Sequence, residues 1–271
     1  MNECSAALSP HDLTIAGLVP LSTVDWPGRL AATLFLQGCP WRCSYCHNHA
    51  ILDPRTPGTV TWREVEDLLK RRRGLLDGVV FSGGEATLQR ALIPALQEVR
   101  ALGFHTGLHT GGAFPSRIHD IVSSDPSGPL VDWVGFDLKA PPEVFEETVG
   151  LRNVNPNASR AFERSRESFV ALVRAGVDVE LRTTLSPALA PYAPRIAEVA
   201  ADLWRESGAE HDRRTLVFQQ ARADGTPADF ARALPEKSRW DRMFASVIES
   251  AQRTAEIVGL RVATRVSSTS P

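Results

Sequence analysis

Thiols are scarce in this chain: 271 residues contain four cysteines, and three of those, Cys39, Cys43 and Cys46, stand in the stretch GCPWRCSYCHN. Long apolar runs are missing as well. The longest early one, Leu30 to Leu36, falls far short of the roughly 20 residues that cross a bilayer, and the opening MNECSAALSPHD has no basic segment. A cytoplasmic chain with no membrane partner is therefore expected. Charge of neither sign dominates, because 30 Lys and Arg face 32 Asp and Glu for a formal charge of -2. That balance removes any overall pull on nucleic acid, so no nucleic-acid partner is expected either. Internal repeats, low-complexity tracts and linkers are also absent. The expectation is one domain over residues 1–271, with a core of about 16–225 and a helical extension near 235–260. In a reducing compartment, clustered cysteines serve more often as metal ligands or redox centres than as disulfides.

What is present is an alternation of two periods. Apolar runs of strand length lie at 30–38, 78–84, 104–110, 131–139, 177–185 and 215–220. Between or after them come helical patterns: 61–74, opened by a capping box of Thr61 and Glu64, one carrying Leu88, Leu92, Leu96 and Val99, and others near 115–123, 160–175, 192–206 and 238–258. Strands buried on both faces and separated by helices predict a parallel sheet. Six repeats predict an α/β fold of the open, partial (β/α)6 barrel type, with a doubly wound sheet as the alternative. In either, ligands bind at the C-terminal strand ends.

The cysteine spacing, C-x3-C-x2-C, directly follows the first predicted strand, in a loop expected to lie outside the barrel core. A disulfide would use two thiols and strand the third. A structural zinc site closes with four ligands, so His47 or His49 would have to complete it, or Cys4 from a distance that nothing in the sequence fixes. Three thiolates with no fourth cysteine nearby suit a four-iron cluster whose last iron binds something else.

Other strand ends carry chemistry too. Gly83-Gly84-Glu85 ends the second, where glycine permits close backbone approach and a carboxylate can neutralise an ammonium, although a plain tight turn would read the same way. Asp137 and Lys139 end the fourth and share a face; they match a zwitterionic ligand or form a local ion pair. Arg182, in an apolar run, needs an anionic ligand or a partner such as Glu180 or Asp137. Gln219 and Gln220 end the sixth.

The C-x3-C-x2-C motif, with Tyr45 before its last cysteine, resembles the signature of radical S-adenosylmethionine (AdoMet) enzymes. The resemblance implies that Cys39, Cys43 and Cys46 hold one [4Fe-4S] cluster, that AdoMet chelates its fourth iron, and that Tyr45 belongs to the cofactor site. It also implies that Gly83, Gly84 and Glu85 line the methionyl amino group, that Asp137 and Lys139 contact AdoMet, that Thr110 faces it, and that Arg182 lies near its carboxylate or ribose. Over residues 16–225 the chain is similar to the anaerobic ribonucleoside-triphosphate reductase activating proteins. Their implied partners are a glycyl-radical enzyme, whose glycine Cα hydrogen is abstracted by a 5′-deoxyadenosyl radical, and a small electron donor, flavodoxin or ferredoxin. Four cysteines cannot hold a second four-cysteine cluster. One departure is visible: His109-Thr110-Gly111-Gly112 stands where related activating enzymes have Asp-Thr-Asn-Gly, and His109 reads otherwise as a locally bonded rim residue. A radical enzyme acting on a small metabolite or peptide, and a zinc-stabilised binding module, are the rival readings.

Overall fold

The computed structural model describes residues 7–151 and 160–265, so Cys4, the 153–159 loop and the terminal SSTSP lie outside the described residues. Among the described residues, eight strands form one sheet in strict chain order. The edge strand β1 (Ile15–Ser22) runs antiparallel to β2 (Ala31–Leu36). From there β3 (Gly78–Gly83), β4 (His105–Thr110), β5 (Trp133–Asp137), β6 (Asp178–Leu185), β7 (Thr215–Gln220) and β8 (Arg261–Arg265) each pair in parallel with the strand before. A doubly wound sheet would reverse its strand order at a switch point, and this order never reverses. The open six-repeat reading therefore holds for β2 to β7, with one strand added at each edge.

Helices connect the parallel strands: α1 (Trp62–Arg71), α2 (Leu92–Ala101), α3 (Pro115–Ser123), α4 (Pro142–Thr148), α5 (Ala161–Arg174), α6 (Ala193–Ser207), α7 (Ala228–Ala233) and α8 (Lys237–Val258). The capping box of α1 forms as the sequence indicates, with Thr61 N donating to Glu64 Oε2 at 2.7 Å and Glu64 N to Thr61 Oγ1 at 3.3 Å. Val65, Leu68 and Leu69 then turn inward. The core continues as an aromatic relay, Phe136 to Phe169 at 5.3 Å and Phe169 to Trp204 at 4.9 Å, both edge-on.

Several expectations need correction. Leu88 is not on α2; it ends a separate 3-10 turn, Ala86–Leu88, whose first free N–H is capped by Glu85, and extended Gln89 breaks the helical period. Gln89 is held there by bonds from its Nε2 to Thr14 O and Gln37 O. Residues beyond 225 are more than a helical extension, because β8 returns to the sheet beside β7. The edge strand β1 escaped notice because Gly17 and Pro20 interrupt its pattern and residues 19–21 are exposed, as suits an edge strand whose outer side is bonded only at its start, where Thr59 and Val60 meet Ile15 and Ala16.

Candidate active site

The C-terminal ends of β2 to β7 open into a cavity of about 810 Å³, bordered by all three clustered cysteines. The loop that carries them starts where Gly38, at φ 99, turns the chain out of β2. Gly38 N and Cys39 N donate to Ile51 O and Leu52 O, and Arg42 N donates to Val149 O. Contrary to expectation, the loop is built into the core. Trp41 is 4% exposed and meets Phe145 edge-on at 5.8 Å, while Tyr45, 6% exposed, donates its hydroxyl to Lys139 O at 3.4 Å.

The histidines beside the cysteines serve as clasps. His47 Nδ1 donates to Asp224 O at 2.7 Å and His49 Nδ1 to Gly225 O at 3.0 Å, tying the loop to the segment after β7. The carbonyls can only accept, so both Nδ1 atoms carry protons. Burial, followed by the charge of Glu85, pushes the Cys39 thiol up to about 12, and burial pushes Cys43 up to about 11 against the pull of Lys139. Both stay protonated until a metal displaces the protons. Among the described residues, no group of three or more His, Cys, Asp or Glu side chains is arranged to hold a metal ion. The three thiols border a shared volume without converging on a single-ion position.

Gly83 and Gly84 are required by packing. A Cβ on Gly83, itself at φ 119, would stand 2.2 Å from Leu36 N, and one on Gly84 would stand 2.1 Å from Gly38 O. Their absence lets the end of β3 lie against the root of the cysteine loop, where Glu85 N donates to Gly38 O at 2.9 Å. The Glu85 side chain, 2% exposed, is heavily engaged. Its Oε1 accepts from Thr87 N, Thr87 Oγ1 and Thr110 Oγ1, and its Oε2 from Gly111 N at 3.0 Å. Capacity for an ammonium remains only on Oε2. Thr110 is likewise turned to Glu85, and its hydroxyl also accepts from Gly112 N.

Asp137, Lys139 and Arg182 form one connected group. Arg182 Nε donates to Asp137 Oδ1 at 2.6 Å and Lys139 Nζ to Asp137 Oδ2 at 3.0 Å. Of the two partners weighed for Arg182, Asp137 is the one found; Glu180 instead receives Arg265 at 3.0 and 3.2 Å. Burial works against charge on Asp137, but Arg182 and Lys139 outweigh it and hold the carboxyl well below the usual carboxylate range. Burial likewise works against charge on Lys139, and Asp137 outweighs it, so the ammonium is held charged. Asp137 is thus shared between two cations, one on each oxygen, and each oxygen keeps a lone pair for a further donor.

His109 borders this group inside the cavity and is not a rim residue. Its Nε2 lies 2.8 Å from Asp25 O and its Nδ1 3.1 Å from Ser82 Oγ. A carbonyl accepts only, so Nε2 carries the proton and Nδ1 accepts from Ser82. Burial, then the charge of Arg182, lowers the imidazole to about 3 from 6.5. Below pH 6.5 the unfolded chain takes up a proton that the folded chain refuses, so stability falls as pH drops from about 6.5 toward 3. His109→Gln is expected to flatten that fall in melting temperature, measured by circular dichroism across the range. The flattening is partial, because burial lowers His47 as well.

Gln219 and Gln220 also border the cavity, bonded to Thr184 and Asp241. Sequence reasoning missed Asp25 and Ser82, and it missed Gly135, whose signal was a glycine in the middle of the buried strand WVGFD.

Comparison with known proteins agrees with this geometry. A candidate glycyl-radical enzyme activating enzyme of Methanocaldococcus jannaschii is 30% identical over 64% of this chain and 68% of its own length. The pyruvate formate-lyase-activating enzyme of Clostridium pasteurianum is 29% identical over 69% and 74%. Among solved structures, SuiB of Streptococcus suis bound to S-adenosylmethionine superposes with a TM-score of 0.57 at 14% identity, covering 84% of this chain; the chain spans 48% of SuiB. AnSMEcpe with bound AdoMet gives 0.55 at 18% identity, covering 84% of this chain and 62% of that one. At such identities the likeness is one of fold. The family model described as the radical SAM superfamily matches residues 33–189, more than half of the sequence, and the chain belongs to that superfamily.

Proposed function

We propose that this chain is an activating enzyme that uses a [4Fe-4S] cluster and AdoMet to place a radical on a glycine of a partner protein. The observation that carries the reading is that three thiols and the Asp137, Lys139 and Arg182 group border the same cavity at the strand ends. The donor set fits the cluster: three soft sulfur ligands, with no closed four-ligand site among the described residues. Cys39, Cys43 and Cys46 would hold it. When bound, the cluster supplies the electron that breaks the AdoMet C5′–S bond, giving methionine and a 5′-deoxyadenosyl radical.

The protein's own part is positioning. Gly83 and Gly84 allow close backbone approach, Trp41 and Tyr45 border the cavity with rings fixed by burial, and the Lys139 ammonium places a fixed positive charge there. No acid or base is needed for hydrogen-atom abstraction. The whole chain acts as one cytoplasmic domain, reduced by a flavodoxin or ferredoxin. The acceptor is anaerobic ribonucleoside-triphosphate reductase, because residues 16–225 resemble the activating proteins of that enzyme. The pyruvate formate-lyase-activating relative favours pyruvate formate-lyase as the second candidate.

Anaerobic incubation of reduced protein and AdoMet with each acceptor decides between them. A glycyl radical seen by electron paramagnetic resonance on the reductase supports the reading, and one on the lyase alone transfers it. AdoMet cleavage with no protein radical would instead indicate a small-molecule or peptide substrate. Lys139→Ala is expected to raise the AdoMet Kd by about tenfold to a hundredfold, the worth of one charge-assisted contact, with iron content unchanged. Calorimetric titration checks this, and unaltered affinity would discard the role.

A further inference from the structure

We propose that Gly135 and His109 are positioning residues that lay Arg182 across β5 and make its guanidinium the carboxylate-binding part of the cavity floor; this rests on the AdoMet site proposed above. Strand register sets the arrangement. His109 on β4 is level with Gly135 on β5, and Asp137 on β5 is level with Arg182 on β6. The Arg182 side chain therefore leaves β6 beside Asp137 and runs back over Gly135 toward His109. A Cβ on Gly135 would stand 2.6 Å from Arg182 Nη1 and 2.8 Å from Cζ, so only glycine leaves that track open.

His109 closes the far end of the track. Its Nε2 stands 3.4 Å from Arg182 Nη1, but that nitrogen already donates to Asp25 O, so the imidazole edge is a stop and not an acceptor. The ring is itself braced, edge-on to Trp133 at 5.6 Å, and Trp133 stacks on Trp26 at 5.5 Å. With Nε fixed on Asp137, the guanidinium has one orientation left.

Charge then names the ligand group. Arg182 and Lys139 bring two positive charges, Asp137 one negative and His109 none, which leaves one net positive charge. Each Asp137 oxygen already accepts from a cation of the group, so its negative charge is offset within the group and the net charge left lies on N–H donors. Among the described residues Arg182 Nη2 has no protein acceptor. Donors with a net positive charge repel an ammonium and favour a carboxylate over a neutral ribose hydroxyl, because the charge-assisted, two-pronged contact is the stronger one.

The test compares two ligands on anaerobically reconstituted protein: AdoMet, and 5′-deoxy-5′-methylthioadenosine, which shares the adenosine but lacks the amino-acid end. Gly135→Ala and His109→Ala are each expected to raise the AdoMet Kd by at least about tenfold. Iron and sulfide content and methylthioadenosine affinity should stay as in the unmodified protein. His109→Gln, which can still donate to Asp25 O and accept from Ser82, should restore AdoMet binding to within about threefold. If Gly135→Ala fails to fold, the two His109 variants carry the test alone. AdoMet affinity unchanged in His109→Ala, or equal losses for both ligands, would overturn the inference. A cluster-loaded unmodified protein that binds no AdoMet would bring down the underlying site reading as well, and that outcome is seen before any variant is made.

Discussion

Cys43→Ala protein is expected to purify folded, to carry no iron–sulfur cluster after anaerobic reconstitution, and to cleave no AdoMet. The reason lies in how the loop is anchored. Trp41 and Tyr45 insert into the main core, and backbone bonds at Gly38, Cys39 and Arg42 fix the loop ends, so its shape depends on groups other than the thiols. Removing the Cys43 sulfur costs a small packing loss, about 1 kcal/mol, comparable to other small truncations. It also removes one of three ligands, and two thiolates do not hold a four-iron cluster. Visible absorption, iron analysis and thermal melting read the outcome together. An unfolded variant would show that the metal is structural.

Gly84→Ala is expected to have the second largest effect, although the change lies outside the cysteine motif. Its Cβ would stand 2.1 Å from Gly38 O and 3.1 Å from Cys39 Cβ. Neither backbone oxygen nor ligand root can yield without breaking the Glu85 N to Gly38 O bond, which sutures β3 to the loop. Overpacking of this kind costs about 1–3 kcal/mol, and here the displaced atoms carry the first cluster ligand. Cluster occupancy should fall at least about tenfold, since positioning groups around metal ligands commonly weigh that much. Gly17→Ala is the control, because a Cβ there meets only Phe35 Cβ at 4.0 Å and should change neither melting nor iron content. Iron per chain in the two variants gives the comparison, and equal occupancy would show that the tight approach at Gly84 is unrelated to the cluster.

The residues whose roles follow from local rules were legible. Runs of buried apolar residues marked β2 to β7, and the Thr61 to Glu64 capping box marked the start of α1. Glu85, Asp137 and Lys139 could be named because the parallel topology sends strand ends to one mouth, and Arg182, inside β6, because a charge in an apolar run needs a partner. What was not legible depended on partners distant in sequence. The sequence left Arg182 a choice between Glu180 and Asp137, and only the pairing of β5 with β6 puts it on Asp137 Oδ1, 45 residues away. His109 looked like a rim residue because its bond to Asp25 O spans 84 residues. Edge strands β1 and β8 were missed for a different reason: each has a neighbouring strand on one side only, so exposed and charged positions dilute the pattern that marks a central strand.

The account stands on three protein thiols holding an iron–sulfur cluster whose remaining iron accepts AdoMet. Electron paramagnetic resonance of the anaerobically reduced protein, recorded before and after adding AdoMet and paired with metal and sulfide analysis, addresses it directly. The expected result is about four iron and four sulfide per chain and a signal that changes on addition of AdoMet. Stoichiometric zinc without sulfide, or a cluster signal indifferent to AdoMet, would contradict it.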